Sequence, residues 1–256
     1  MQNVLGDHPR NNRSDYKLEA RPLGEGGQAR VYRGTHKATG VQVALKRLFS
    51  WGVDDVARMR REIDFGLRFP AHEHVMPVLD YGMTHEWFVM PLAQGNADES
   101  RAAISGDEEL FTLVMAVCSA LEVAHEAGWV HRDLKPANLL LLDGHWTVAD
   151  WGFGRRPRGE TTFTGRTAVD ELFGTHGFAA PEQSIDAHEA TASADFYSLG
   201  QIIGWARTGR EPKDGAPLLP ENEPWRSIVA AATRRDPSAR PQNAQEFREL
   251  VTAVRK

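Results

Sequence analysis

Asp133, Lys135, Asn138 and Asp150 fall within one short stretch, Trp129 to Gly152. It reads Trp129-Val130-His131-Arg132-Asp133-Leu134-Lys135-Pro136-Ala137-Asn138, runs through the apolar residues Leu139 to Leu142, turns at Asp143-Gly144 and ends at Asp150-Trp151-Gly152. If this hairpin folds back on itself, the four side chains converge. Together they offer a base, a cation and two oxygen ligands suited to a hard metal ion, which is the equipment of phosphoryl transfer.

Such a site needs a scaffold that brings anion-binding groups to it, and the chain before it reads as short β runs. Tyr16 to Leu23, Ala29 to His36 and Val41 to Phe49 are separated by turn signals at Gly24 to Gly27 and at Ala38-Thr39-Gly40, which predicts an antiparallel meander. The first turn carries Gly24, Gly26 and Gly27, followed by Val31, and glycines let backbone amides approach phosphates closely. Glycine-rich hairpins are also ordinary structural turns. No GxxxxGK[ST] occurs, so a P-loop is excluded.

In the third run, Val43-Ala44-Leu45-Lys46 places a lysine inside an apolar strand, where it is costly unless paired. Asp54 to Phe65 reads as a helix with acids in its first turn and an apolar stripe of Val56, Met59 and Ile63. Glu62 flanks that stripe. It is either a solvated acid in an arginine-rich helix or the partner of Lys46.

Further strands are expected at Val75 to Tyr81 and Trp87 to Leu92, then a connector at Ala93 to Asn96. Beyond it Ser105-Gly106-Asp107-Glu108 reads as a capping box that opens an amphipathic helix with Leu110, Leu113, Val114, Val117, Leu121 and Ala124 inward. This organisation predicts a polar, flexible leader at 1–14 and one folded domain at 15–256, with a first lobe of about 15–92 and a second of about 93–256.

The formal charge of −5 and sequence pI near 6.1 exclude a bulk attraction to nucleic acid or to an anionic membrane. Cys118 is the single cysteine, so no internal disulfide forms, and its apolar setting predicts a buried thiol. His72-Glu73-His74 has neither zinc-finger nor HExxH spacing and reads as a polar loop. No run approaches the roughly 20 apolar residues of a membrane span. No signal segment is apparent, and the expected location is cytoplasmic.

With these residues in place, the chain resembles the eukaryotic-like (Hanks-type) Ser/Thr protein kinases, of the kind found in bacteria, from Tyr16 to Arg255. Gly24 to Val31 is similar to the glycine-rich loop, Val43 to Lys46 to VAIK, Glu62 to the helix-C acid and His131 to Asn138 to the catalytic loop. Asp150-Trp151-Gly152 stands in place of DFG, Gly174-Thr175 with Ala180-Pro181-Glu182 ends an activation segment, and Asp195 to Gly200 opens a helix F. Arg240 matches the arginine that pairs with the glutamate of APE, here Glu182.

The resemblance implies an α+β, bilobal protein-kinase-like fold with an antiparallel first lobe, helix C and a mostly helical second lobe. It implies ATP and Mg²⁺ as cofactors and a protein Ser/Thr hydroxyl as acceptor. Lys46, held by Glu62, would contact the α- and β-phosphates, and Asp150 and Asn138 would hold Mg²⁺. Asp133 would take the hydroxyl proton and Lys135 would neutralise charge on the γ-phosphoryl group. Adenine would sit against Val31, Ala44 and Leu140, with Met90 as gatekeeper, Pro91 giving its carbonyl and Ala93 its amide. Arg132 implies a phosphate on the activation segment, with Thr161, Thr162, Thr164 and Thr167 as candidates and helix-C arginines or Arg155 and Arg156 as helpers; the alternative is that this stretch is only a flexible polar loop. A regulatory partner protein is a further expectation.

Departures matter equally. Ala29 replaces the third glycine, Phe178 a common tyrosine and Trp151 the phenylalanine of DFG, so Trp151 is expected beside Gly66 and Val78. Lys213 to Pro224 holds three prolines and cannot sustain a long helix G. Two rival functions remain: a kinase-fold scaffold or nucleotide-binding pseudokinase, and a small-molecule phosphotransferase.

Overall fold

The computed structural model describes residues 5–6, 10–154, 177–184 and 191–253. The threonines from Thr161 to Thr167, Arg155, Arg156 and Gly174-Thr175 lie outside the described residues. The chain divides into two compact units, Met1–Gln94 with Leu141–Gly152, and Gly95–Leu140 with Phe153–Lys256.

The first unit is built on a five-stranded antiparallel sheet. Its strands are β1 (Tyr16–Glu25), β2 (Ala29–His36), β3 (Gln42–Leu48), β4 (Asp80–Tyr81) and β5 (Trp87–Pro91), in the order β1-β2-β3-β5-β4. Alternation along β3 decides what each face does. Val43 and Leu45 join Tyr16, Trp87 and Val89 in a buried cluster. Ala44 and Lys46, one step out of phase, face the other way.

Of the strand expected at Val75 to Tyr81, only Asp80–Tyr81 joins the sheet. The residues before it bond instead to Val148, whose N–H donates to His74 O at 2.9 Å and whose carbonyl accepts the Met76 N–H at 3.0 Å.

The segment expected as a flexible leader is anchored in this unit. Leu5 is buried in the cluster of Tyr16, Val43, Leu45, Trp87 and Val89. Asn11 donates its N–H to Asp80 Oδ1 at 2.8 Å and its side-chain amide to Tyr81 O at 2.8 Å. Charge and polarity hid this, because the short apolar pair Val4-Leu5 in a polar stretch gives no periodic signal.

Helix α1 (Val53–Arg68) begins after Gly52 with Asp54 and Asp55 in its first turn, where the helix dipole favours them, and buries Met59, Glu62, Ile63, Phe65 and Gly66. The chain returns to this unit in the second half of β7 (Leu139–Leu142) and in β8 (His145–Val148). Asp143 and Gly144, at φ 50° and 83°, make the two-residue turn between them, as the Asp-Gly pair requires. Leu141–Gly152 thus packs with the first unit, whereas the sequence reading placed it in the second lobe.

The second unit is mostly helical. After the short β6 (Gly95–Asn96) come α2 (Asp107–Glu126), α3 (Ala192–Thr208), α4 (Trp225–Ala232) and α5 (Ala244–Ala253). Helix α2 buries the expected stripe together with Cys118, whose thiol is pushed up to about 12 by burial. The expected capping box does not form. Gly106 is the cap residue and has no side chain to offer, while Ser105 Oγ donates to Ala102 O.

Helix α3 is buried from Ser193 to Ala206 on all sides, the pattern of a central helix. Phe196 on α3 stacks against Phe247 on α5 with centroids 5.4 Å apart. Between Gly209 and Pro224 the chain forms no helix, as its prolines predict.

Candidate active site

In the first unit, three ionisable side chains meet. Lys46 Nζ donates to Glu62 Oε2 at 2.7 Å and to Asp150 Oδ1 at 3.1 Å. Register explains the lysine's position: β3 lies between β2 and β5, pairing Lys46 with Val31 and Phe88, so its stem is flanked by apolar neighbours. Glu62 reaches it from α1, which settles the choice left open by sequence in favour of the pair.

Burial opposes the charge on Lys46, but Asp150 and Glu62 outweigh it and hold its pKa above the ordinary value. Burial pushes the Glu62 carboxyl up to about 7, against the pull of Lys46 and with the negative charge of Asp150 adding to the rise.

Asp150 sits at φ 63°, in a region that side chains other than glycine seldom occupy. The two residues that follow it are tied down. Trp151 is buried, stacks on Phe65 of α1 at 3.8 Å and 19°, and donates its indole N–H to Val148 O at 3.3 Å. Arg61 Nε donates to Gly152 O at 2.9 Å. The expectation that Gly66 makes room for this ring is corrected in part. The atoms nearest to a Cβ placed on Gly66 belong to Val78, at 2.6 Å, and to Met76, so the glycine admits the Met76–Val78 backbone.

The remaining residues expected to hold a nucleotide in this unit lie on adjoining strands. Ala44 pairs with Met90 and Val43 with Pro91, which places Met90 beside the β3 alanine, and Ala93 follows two residues after Pro91. At the β1–β2 turn, Gly26 N–H donates to Ala29 O at 2.9 Å. A Cβ at Gly24 or Gly27 would meet nothing within 4 Å. Internal packing therefore does not require these glycines.

In the second unit the acid, the cation and the amide also meet. Lys135 Nζ donates to Asp133 Oδ2 at 2.9 Å, and Asn138 Nδ2 donates to the Asp133 carbonyl at 2.9 Å. With its nitrogen turned to Asp133, the Asn138 amide directs its oxygen the other way, as a ligand for a hard cation would need. Leu140, the last expected adenine contact, is half-buried on β7. Among the described residues, no group of three or more His, Cys, Asp or Glu side chains is arranged to hold a metal ion. Asn138 and Asp150 belong to different units.

The loop that carries Asp133 is held from α3. Asp195, with no exposed surface, accepts the His131 N–H at 2.9 Å, the Arg132 N–H at 2.8 Å and a bond with His125 Nε2 at 2.8 Å. Burial alone would raise its pKa, but His125, His131 and the Arg132 amide outweigh burial and hold it below the ordinary value. Arg132 sits at φ 69°.

Gln183 donates to Arg132 O at 2.7 Å and so ties the segment after Ala180-Pro181-Glu182 to the same loop. The sequence reading missed Gln183 and His125. A polar residue in a short segment and a histidine late in an amphipathic helix carry no local signal of partners far away in sequence. Arg240 makes its expected pair, with two bonds to Glu182 at 2.6 and 2.9 Å, and lies over the Tyr197 ring at 4.9 Å.

A strand lysine paired with a helix acid, an acid beside a lysine and an asparagine on one loop, and a buried arginine on the acid of a Pro-Glu turn together define a protein kinase domain. The chain belongs to the protein kinase domain family, whose model matches residues 18–254, and within it to the Hanks-type Ser/Thr kinases of the bacterial kind.

It is 30% identical over 203 residues to a probable serine/threonine-protein kinase PknB of Lactococcus lactis, covering 75% of this chain and 31% of that protein. It is 30% identical over 201 residues to the serine/threonine-protein kinase PknD of Mycobacterium tuberculosis, covering 75% and 29%. To PknA of the same species it is 29% identical over 270 residues, covering 94% and 61%. The chain thus spans about a third of the length of the first two relatives and less than two thirds of the third.

Proposed function

We propose that this protein transfers the γ-phosphoryl group of ATP to a Ser or Thr hydroxyl of a protein. The observation that carries this is Lys46 bonded at once to Glu62 and Asp150. A buried lysine fixed by two acids is arranged to receive the phosphates of a nucleotide. Bound Mg²⁺-ATP would supply the phosphoryl group and the charge neutralisation for its transfer.

In this reading Lys46, oriented by Glu62, binds the α- and β-phosphates, and Asp150 and Asn138 hold the metal. Gly24, Gly26 and Gly27 cover the phosphates. Val31, Ala44, Met90, Pro91, Ala93 and Leu140 enclose adenine. Asp133 orients the acceptor hydroxyl and takes its proton, while Lys135 steadies the charge beside it. The nucleotide lobe spans about 15–92 and the acceptor lobe about 93–256, with Leu141–Gly152 packing against the former. A cytoplasmic location and input from a regulatory partner fit a kinase domain in which no described helix is long and apolar enough to cross a membrane.

The test is phosphate transfer from labelled ATP to a Ser/Thr peptide array and to a metabolite panel, with wild type and Asp133→Asn side by side. Asp133→Asn is expected to lose about 10²- to 10⁴-fold in rate, the range for a positioned general base. No transfer above background by either protein would point to the scaffold reading. Transfer to metabolites alone would point to a small-molecule phosphotransferase.

A further inference from the structure

The helix-free segment between α3 and α4 is fastened to the site described above through one buried amide and one exposed carboxylate. Gln201, on α3, has no exposed surface. Its Nε2 donates to Gly177 O at 2.8 Å and to Ala216 O at 3.0 Å, and its Oε1 accepts the Leu218 N–H at 2.9 Å. Three residues further along α3, Gly204 lets the chain come close, because a Cβ there would collide with Leu218 O.

Gly177 is gripped from the other side as well. Its N–H donates to Asp214 Oδ1. It sits at φ 80°, and a Cβ on it would collide with Pro212 O. Both backbone polar groups of this residue are therefore taken up by Gln201 and by the Pro212–Leu218 segment. The arrangement continues towards the chemistry. Ala180, three residues on, donates its N–H to Gln183 Oε1 at 3.4 Å, and Gln183 holds Arg132 O, next to Asp133.

From this we infer that Gln201 and Asp214 are positioning residues for the acceptor peptide. They fix Gly177, the edge of the shelf that leads to Ala180-Pro181-Glu182, and so set where a peptide lies relative to Asp133. The inference rests on the protein-kinase reading above. Asp214 lies on an exposed turn next to Gly215 at φ 66°. Half of the grip is therefore made by a side chain in contact with water, where an acceptor protein can reach it.

The experiment measures steady-state kinetics on a Ser/Thr peptide chosen from the array, together with amide hydrogen exchange at Gly177–Ser184. The proteins are wild type, Asp214→Ala, Asp214→Asn and Gln201→Leu. One net hydrogen bond is worth about fivefold in an equilibrium constant. Asp214→Ala is accordingly expected to raise the peptide KM about fivefold and to speed exchange at Gly177, with kcat and the KM for ATP within about twofold of wild type. Asp214→Asn keeps an acceptor oxygen and is expected to restore both readouts. Gln201→Leu is expected to move them in the same direction as Asp214→Ala.

An unchanged peptide KM in Asp214→Ala overturns the inference, even if exchange at Gly177 quickens. So does Asp214→Asn being as impaired as Asp214→Ala, or a parallel rise in the KM for ATP. A wild type that hydrolyses ATP but phosphorylates no Ser/Thr peptide overturns the protein-kinase reading, and this inference with it.

Discussion

Asp195 holds Arg132 by its backbone N–H at 2.8 Å while Arg132 occupies φ 69°, so a carboxylate with no exposed surface fixes a strained residue one position before Asp133. The same carboxylate accepts the His131 N–H, leaving the loop little freedom on that side. Positioning of this kind is stored in the fold before any ligand arrives.

Replacing Asp195 with Asn removes the charge and at least one acceptor site. Loss of one partner from a buried charged network costs about 3–5 kcal/mol, so Asp195→Asn should melt many degrees below wild type. The pH dependence has a definite sign. The folded pKa lies below the ordinary carboxylate value, so this stabilisation is complete above that value and is lost as pH falls through the folded one. Thermal melts of both proteins across the acid range should converge as pH falls, and a constant gap would contradict this account.

Glu62 gives the opposite pH dependence. Its carboxyl, pushed up to about 7, binds its proton more tightly in the folded than in the unfolded state. Its contribution to stability is complete below the unfolded value and is lost as pH rises through about 7. The charged Lys46–Glu62 pair forms over the same interval. The expected result is that kcat/KM for ATP rises through about pH 7 in wild type. Glu62→Gln should be slower and lack that rise, and a rise that persists in the variant would assign it to another group.

Gly66→Ala tests the close approach of α1 to the Met76–Val78 backbone. A Cβ there stands 2.6 Å from Val78 Cγ2 and 3.0 Å from Val78 N, and backbone cannot swing aside as a side-chain tip can. Overpacking of this type costs about 1–3 kcal/mol. Trp151→Ala should cost more, about 3–5 kcal/mol, because it empties the space against Phe65. Denaturant unfolding of both variants provides the comparison, and a Gly66→Ala protein as stable as wild type would show that the contact relaxes freely.

Where a residue's type and its element pointed the same way, the site was legible in the chain. Lys46 in an apolar strand demanded an acid, and Glu62 flanked the helix stripe that could supply it, whereas the pair of Arg240 with Glu182 came from the resemblance. The α+β class came from the family resemblance, and the change between alternating and helical periodicity near Ala93 agreed with it. What escaped was long-range polar contact. Gln183, His125 and Gln201 bond to atoms far away in sequence, and nothing local marks them. The missed cap at Gly106 has another origin, since Ser105 had the right spacing but bonds backwards to Ala102. Gly66 was singled out correctly as a place where size matters, yet the neighbour that needs the room is Val78.

Leu5 lies outside the stretch matched by the family model, which begins at residue 18, yet it completes a core whose other members include Val43, Leu45 and Val89. A protein trimmed to the family boundary would lose Leu5 and Tyr16 from that core and withdraw both the Asn11 N–H and the Tyr16 hydroxyl from Asp80. The back of the strand that carries Lys46 would then be open. The packed core of the first unit therefore begins before the stretch that the family model matches, at Leu5 among the described residues.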